Sequence, residues 1–133
     1  MKELDEFLAN WPDTAEGNRA AFAALKAHLE GLAGVSLDFI ARPGITYSLR
    51  AKHEAQQKRE LFVMVDVIED DPRWLSVCFY RDLTSDPDSL GDEVPEGLLG
   101  EDAVCFDLET ADPARLAYIR ARIDEACAAA ARG

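Results

Sequence analysis

Cysteine is scarce and unpatterned in this sequence, with three residues, an odd number, and no CxxC spacing. Such usage excludes a disulfide framework like those of small secreted domains, and a zinc site with it. Histidine is scarcer, at two residues. His28 falls inside a helical stretch and His53 inside a basic connector, so each reads as a surface or half-buried side chain rather than an acid–base catalyst. No apolar run approaches the roughly 20 residues that cross a bilayer. The N-terminus lacks the basic-then-apolar layout of a signal peptide. These absences lead to the expectation of a soluble protein of the reducing cytoplasm, without a membrane partner. Also missing are a GxSxG elbow, a phosphate-cradling glycine-rich loop, HExxH and a dinucleotide fingerprint. No catalytic residue, metal or cofactor is assigned, and the sequence leans away from an enzyme.

Basic residues are outnumbered, 14 Lys and Arg against 26 Asp and Glu, for a formal net charge of −12. Nucleic-acid affinity comes largely from neutralising phosphates, so DNA and RNA are not expected partners. The charge is segregated. Arg42, Arg50, Lys52, Lys58 and Arg59 cluster in residues 42–59 with Glu54 the sole acid, whereas residues 82–110 hold ten acids and no Lys or Arg. Solvated loops of opposite sign explain this, as does steering of a partner.

What is present is strand periodicity. Leu61, Val63, Val65 and Val67 alternate onto one face, as do Leu75, Val77 and Phe79, which predicts a central hairpin turning at 69–73, with Asp71-Pro72 suited to a type I turn. An earlier hairpin places Val35, Leu37 and Phe39 with Ile45, Tyr47 and Leu49 around an Arg42-Pro43-Gly44 turn. A fifth strand follows at Ala103–Leu108. Between the fourth and fifth strands lies an acidic segment from Asp82 to about Glu101, broken by Pro87, Gly91, Pro95, Gly97 and Gly100 and read as a loop. Its Asp86, Asp88 and Gly91 resemble the start of a calcium loop, but Leu90 and Gly97 occupy ligand positions, so no metal is expected.

Helical spacing appears at both ends. Leu4, Phe7, Leu8 and Trp11 form one stripe, stopped by Pro12. Asp13 and Glu16 resemble a capping box ahead of a second helix carrying Phe22, Leu25, Leu29 and Leu32. Asp112 as N-cap and Pro113 at the first helical position announce a last helix whose stripe is Leu116, Ile119, Ile123 and Cys127. The sum is a single α+β domain over residues 1–133. It is expected to be a two-layer sandwich in which a five-stranded antiparallel meander packs its N- and C-terminal helices on one face. The expected core joins Leu25, Leu29, Leu61, Val63, Val65, Val77, Phe79, Phe106, Ile119 and Ile123. This order of elements resembles the small bacterial YdhG/YjbR group, which implies a frataxin-like architecture and transfers no catalytic residue.

Alternation also assigns the opposite face of the sheet. Phe62 is expected beside Tyr80, Met64 beside Cys78 and Ile68 beside Trp74, an apolar strip rimmed by Arg50, Asp38, Asp66 and Asp107. Such a strip marks an interface or a ligand platform. Candidate binding residues are therefore Phe62, Met64, Trp74, Tyr80, Arg50 and Asp66. The leading expectation is a non-catalytic protein-interaction module forming a homodimer through this face. The alternatives are a small molecule on the same strip, cover by the first helix or the acidic loop, and an enzyme using the Asp38, Asp66 and Asp107 carboxylates. Cys78 and Cys105 are expected to be neighbours on this face, as small half-buried side chains.

Overall fold

The computed structural model of the chain describes residues 1–133 as an α+β fold of three helices and one antiparallel sheet. In chain order the elements are α1 (Lys2–Ala9), α2 (Asn18–Glu30), β1 (Val35–Arg42), β2 (Thr46–His53), β3 (Val63–Ile68), β4 (Trp74–Tyr80), a 3-10 turn at Arg81–Leu83, β5 (Asp92–Leu98), β6 (Glu101–Leu108) and α3 (Pro113–Ala130). The sheet has six strands, ordered β1-β2-β3-β4-β6-β5. The five expected strands are all present. The sixth, β5, lies in the segment read as an acidic loop, and DEVPEGL is poor strand material because Asp, Glu, Gly and Pro pack badly on a pleated surface. It survives as an edge strand, where proline is tolerated and only β6 has to be matched. Its register breaks between Val94 and Leu98. Since β6 returns between β4 and β5, the sheet departs from the pure meander.

The helices and one face of the sheet build a single core of 24 buried residues, including Phe22, Leu25, Leu29, Val63, Val65, Val67, Val77, Phe79, Phe106, Ile119 and Ile123. Nine of the ten expected core residues belong to it. Leu61 does not. It is buried in a separate cluster with Tyr80, Leu98 and Ala103, while Phe62, expected on the opposite face, is fully buried among the helix-side residues. Regular pairing of β3 with β2 begins at Val63, opposite Ala51. The connector enters that strand through the Phe62 N–H, which donates to the Ala51 carbonyl at 2.8 Å. Strict alternation does not extend back past the first ladder residue, so Phe62 and Val63 face the same way.

Turns and caps bring further corrections. The first hairpin pairs Arg42 with Thr46, leaving Pro43-Gly44-Ile45 as the loop; Ile45 is 64% exposed instead of belonging to the strand face. Gly44 supplies the positive φ of +85° at its centre. The Asp71–Pro72 peptide is cis, where a type I turn was expected. Gly17, not Asp13, precedes α2, which has no side-chain cap; Asp13 instead lies 3.5 Å from Arg19. The α3 start is as expected, with the Asp112 carboxylate accepting from the Arg115 N–H at 3.3 Å.

Two polar devices fasten α1 and α2 to the sheet. The Arg73 guanidinium lies about 5 Å from the rings of Phe7, Trp11 and Tyr47 and donates twice to Glu69, at 2.8 and 2.9 Å. Buried Asn18, at the start of α2, donates to the Arg73 and Glu109 carbonyls, both at 2.8 Å. These carbonyls lie just before β4 and just after β6, so one side chain ties α2 to two neighbouring strands. Asn18→Ala is expected to cost about 1 to 3 kcal/mol, because two carbonyls lose their donors. A urea midpoint within error of wild type would refute that role.

The helix-free face of the sheet

Register defines the candidate surface. Its central row reads Ile40, Ser48, Asp66, Ser76 and Asp107 across β1, β2, β3, β4 and β6. A second row carries Asp38, Arg50, Met64, Cys78, Cys105 and Asp92, reaching β5, and a third carries Arg42, Thr46, Ile68 and Trp74. Met64 stands beside Cys78 and Ile68 beside Trp74, as alternation predicts. The surface is more polar at its centre than a continuous apolar strip, because the aromatic end of that strip is lost. Phe62 has turned into the core, and Tyr80 is covered.

Tyr80 is covered by its own chain. The Arg59 guanidinium sits 4.1 Å from the centre of the ring and is clamped by Asp82 at 2.7 and 3.0 Å and by Glu101 at 2.7 and 3.3 Å. Leu61 and Leu98 pack alongside. These hydrogen bonds push the Arg59 pKa up. Burial, then the Glu101 charge, holds the Tyr80 phenol above its ordinary value. The cover at this end is Arg59 of the basic connector, and the acidic segment, one of the sequence alternatives, takes part by holding Arg59 and supplying Leu98. The sequence signal was present in part: Arg59 faces an acidic segment across the chain, but nothing local says that it lands on Tyr80.

The remaining candidates, Arg50, Met64, Asp66 and Trp74, are half-buried with no helix above them. The Arg50 Nε donates to the Ser48 hydroxyl at 3.1 Å, and the Trp74 indole N–H reaches Asp70 at 3.4 Å. Asp66 is the outlier. Its Oδ1 is buried without a partner, and burial raises its pKa against the lowering effects of the Ser48 hydroxyl and of Arg50 and Arg42. Asp107 is raised too, first by burial and then by Asp92. These two aspartates are separated by Ser76 on β4, two strand spacings or about 10 Å, and Asp38 lies two strands from Asp66. The three carboxylates do not converge, and the arrangement gives them no shared acid–base work. The calcium-like segment is likewise occupied: Asp86 accepts from the Leu90 and Gly91 N–H groups at 3.0 and 2.9 Å and from the Tyr118 hydroxyl.

The raised Asp66 pKa fixes a pH dependence. The folded carboxyl binds its proton more tightly than the unfolded one, so its stabilising contribution is present at low pH and is lost as pH rises through the folded value. Asp66→Asn is therefore expected to raise the unfolding midpoint at pH 7, with the gain shrinking below the ordinary aspartate value of 3.8. Thermal melts of both proteins at pH 3 and 7 check this; a variant less stable at pH 7 would mean that Arg50 and Arg42 outweigh burial.

The cysteine count argues against a disulfide framework and does not foresee a single bond. In the fold, Cys78 and Cys105 oppose each other directly across β4 and β6, with Cα atoms 4.1 Å apart, and are disulfide-bonded; Cys127 on α3 is free. Opposed antiparallel residues approach closely enough for this. The neighbourhood was legible from sequence, the bond was not, because spacing along the chain carries no information about register.

No helix is long and apolar enough to cross a membrane. Comparison with family models, curated proteins and solved structures finds no match to this chain.

Proposed function

We propose that this chain is a non-catalytic interaction module that forms a homodimer through the helix-free face of its sheet. The observation that supports it is an uncovered face whose half-buried Met64, Ile68 and Trp74 surround a desolvated, under-bonded Asp66. Apolar groups so placed gain from further burial.

Charge supports a second copy as the occupant. Arg42, Arg50 and Lys52 lie on the β1–β2 side and Asp92 and Asp107 on the β6–β5 side. A two-fold axis lying in the interface and running along the strands, between β3 and β4, sets the basic side of each copy over the acidic side of the other. It also sets Trp74 over the partner's β3, near Ile68, and Ser76 over the partner's Asp66. Such an interface uses one patch twice.

Trp74→Asp places a charge at this surface without touching the helix-side core. The expected result is a folded monomer, by circular dichroism and sedimentation equilibrium, against a dimeric wild type. A monomeric wild type at about 100 μM would sink the proposal. One feature favours a small molecule as the second reading, namely a groove of about 230 Å³ at the β1–β2 end, lined by Ser36, Asp38, Arg50, Lys52, Glu60 and Leu61. Its paired charges of both signs suit a zwitterion.

A further inference from the structure

The disulfide brings a reactive bond to the helix-free face, and its two sulfurs have unequal surroundings. Cys78 is only 7% exposed; Met64 flanks it on β3, and the Ser76 hydroxyl lies 3.6 Å from its sulfur. Cys105 is half-buried, and its neighbour on the outer side is Asp92 of β5. Asp107 follows two residues along β6 and shares the same face. Asp92 and Asp107 are close enough that the first raises the pKa of the second, and Arg115 offsets only part of that charge. Neither carboxylate is in an ion pair. The more exposed of the two cysteines, Cys105, is therefore the one that adjoins the negative carboxylates.

We infer that Cys78–Cys105 is a thiol–disulfide exchange site of the folded protein, opened at Cys105 by small thiols and selective for cationic over anionic ones. A thiolate attacks the Cys105 Sγ; the reagent–Cys105 bond forms as the Cys105–Cys78 bond breaks, and the electron pair leaves on Cys78 as a thiolate. A second thiolate attacks the reagent sulfur of this mixed disulfide and releases Cys105 as a thiolate and the reagent as its own disulfide. Two thiols are oxidised, two cysteines are reduced, and solvent supplies their protons. Attack at Cys78 is blocked by its burial, which confines the first step to Cys105. The carboxylates beside Cys105 repel an anionic reagent and attract a cationic one, and salt weakens both effects.

The exchange site belongs to the uncovered face of the monomer, so the test uses the intact oxidised protein in low-salt buffer without denaturant, at a concentration where sedimentation shows it monomeric. Cysteamine, 2-mercaptoethanol and thioglycolate are compared as reductants, each rate expressed per thiolate and divided by that reagent's rate with an uncharged small disulfide. Cysteamine is expected to react about tenfold faster than thioglycolate, with 2-mercaptoethanol between them. The ratio should fall towards one in 1 M salt. Rapid alkylation followed by peptide mass mapping should find the reagent on Cys105 and the alkyl group on Cys78. Asp92→Asn, at an exposed edge position, should lower the ratio and leave the fold intact. Reduction that begins only in denaturant, an adduct on Cys78, or equal normalised rates at low salt would each overturn the inference.

Discussion

Replacing Phe62 by alanine is expected to cost about 3 to 5 kcal/mol of folding free energy, the range for removing a buried aromatic ring and leaving a cavity. The ring is fully buried in the helix-side core. Its own N–H starts the junction with β2 by donating to Ala51, so the backbone cannot swing away to close the gap. Interiors relax only partly around such deletions, which is why the cost exceeds transfer alone. The measurement is sharp because alternation from Val63 places the same residue on the opposite, uncovered face. There, truncation costs roughly 1 kcal/mol or less, as for surface changes generally. Urea unfolding of wild type and variant at concentrations where each is monomeric, with Trp74→Ala as the comparison for a half-buried residue of that face, separates the two placements. A loss below 1 kcal/mol returns Phe62 to the uncovered face and removes the irregular entry into β3.

Reducing the Cys78–Cys105 bond is expected to lower stability by about 3 to 4 kcal/mol, the chain-entropy value for closing a loop of this length, given a sequence separation of 27. The unfolded ensemble carries the effect, since the crosslink denies it the separations that the free chain would sample. On the folded side the bond spans β4 and β6, which are already paired along six residue pairs, so the ladder itself holds the reduced protein together. The reduced protein is thus expected to fold, with a melting temperature lower by roughly 10 °C. Cys78→Ser with Cys105→Ser should reproduce the reduced value, while Cys127→Ser, at the free cysteine, should leave the difference between oxidised and reduced forms intact. Equal midpoints for oxidised and reduced wild type would contradict the expectation. The inequality matters for any use of the face, because a staple within the second row of side chains limits how far β6 can shift against β4.

Much of the fold was legible because its signals are local. Apolar residues two apart predicted β1, β2, β3, β4 and β6, and the match of Val65 to Val77 and of Val67 to Leu75 followed from the turn between them. Asp112 and Pro113 located the start of α3, since an N-cap and an N1 proline act within one helical turn. β5 escaped because an edge strand paired on one side needs few apolar residues, and only Val94 and Leu98 serve it as half-buried and buried contacts. Of the six candidate binding residues, Arg50, Met64, Asp66 and Trp74 do lie on the helix-free face. Phe62 and Tyr80 left the candidate surface for two different reasons, the irregular entry into β3 and the Arg59 cover.

Alternation, helical stripes and composition are properties of neighbouring residues, and from them alone follow the class of fold, the apolar faces that meet the helices and the excess of negative charge. The folded chain was needed to learn that Arg59 lies on Tyr80, that Cys78 is bonded to Cys105 and that Asp66 is buried short of a partner. Each of these joins residues far apart in the chain, and such meetings are set by strand order and by the path of connectors that carry no periodicity of their own.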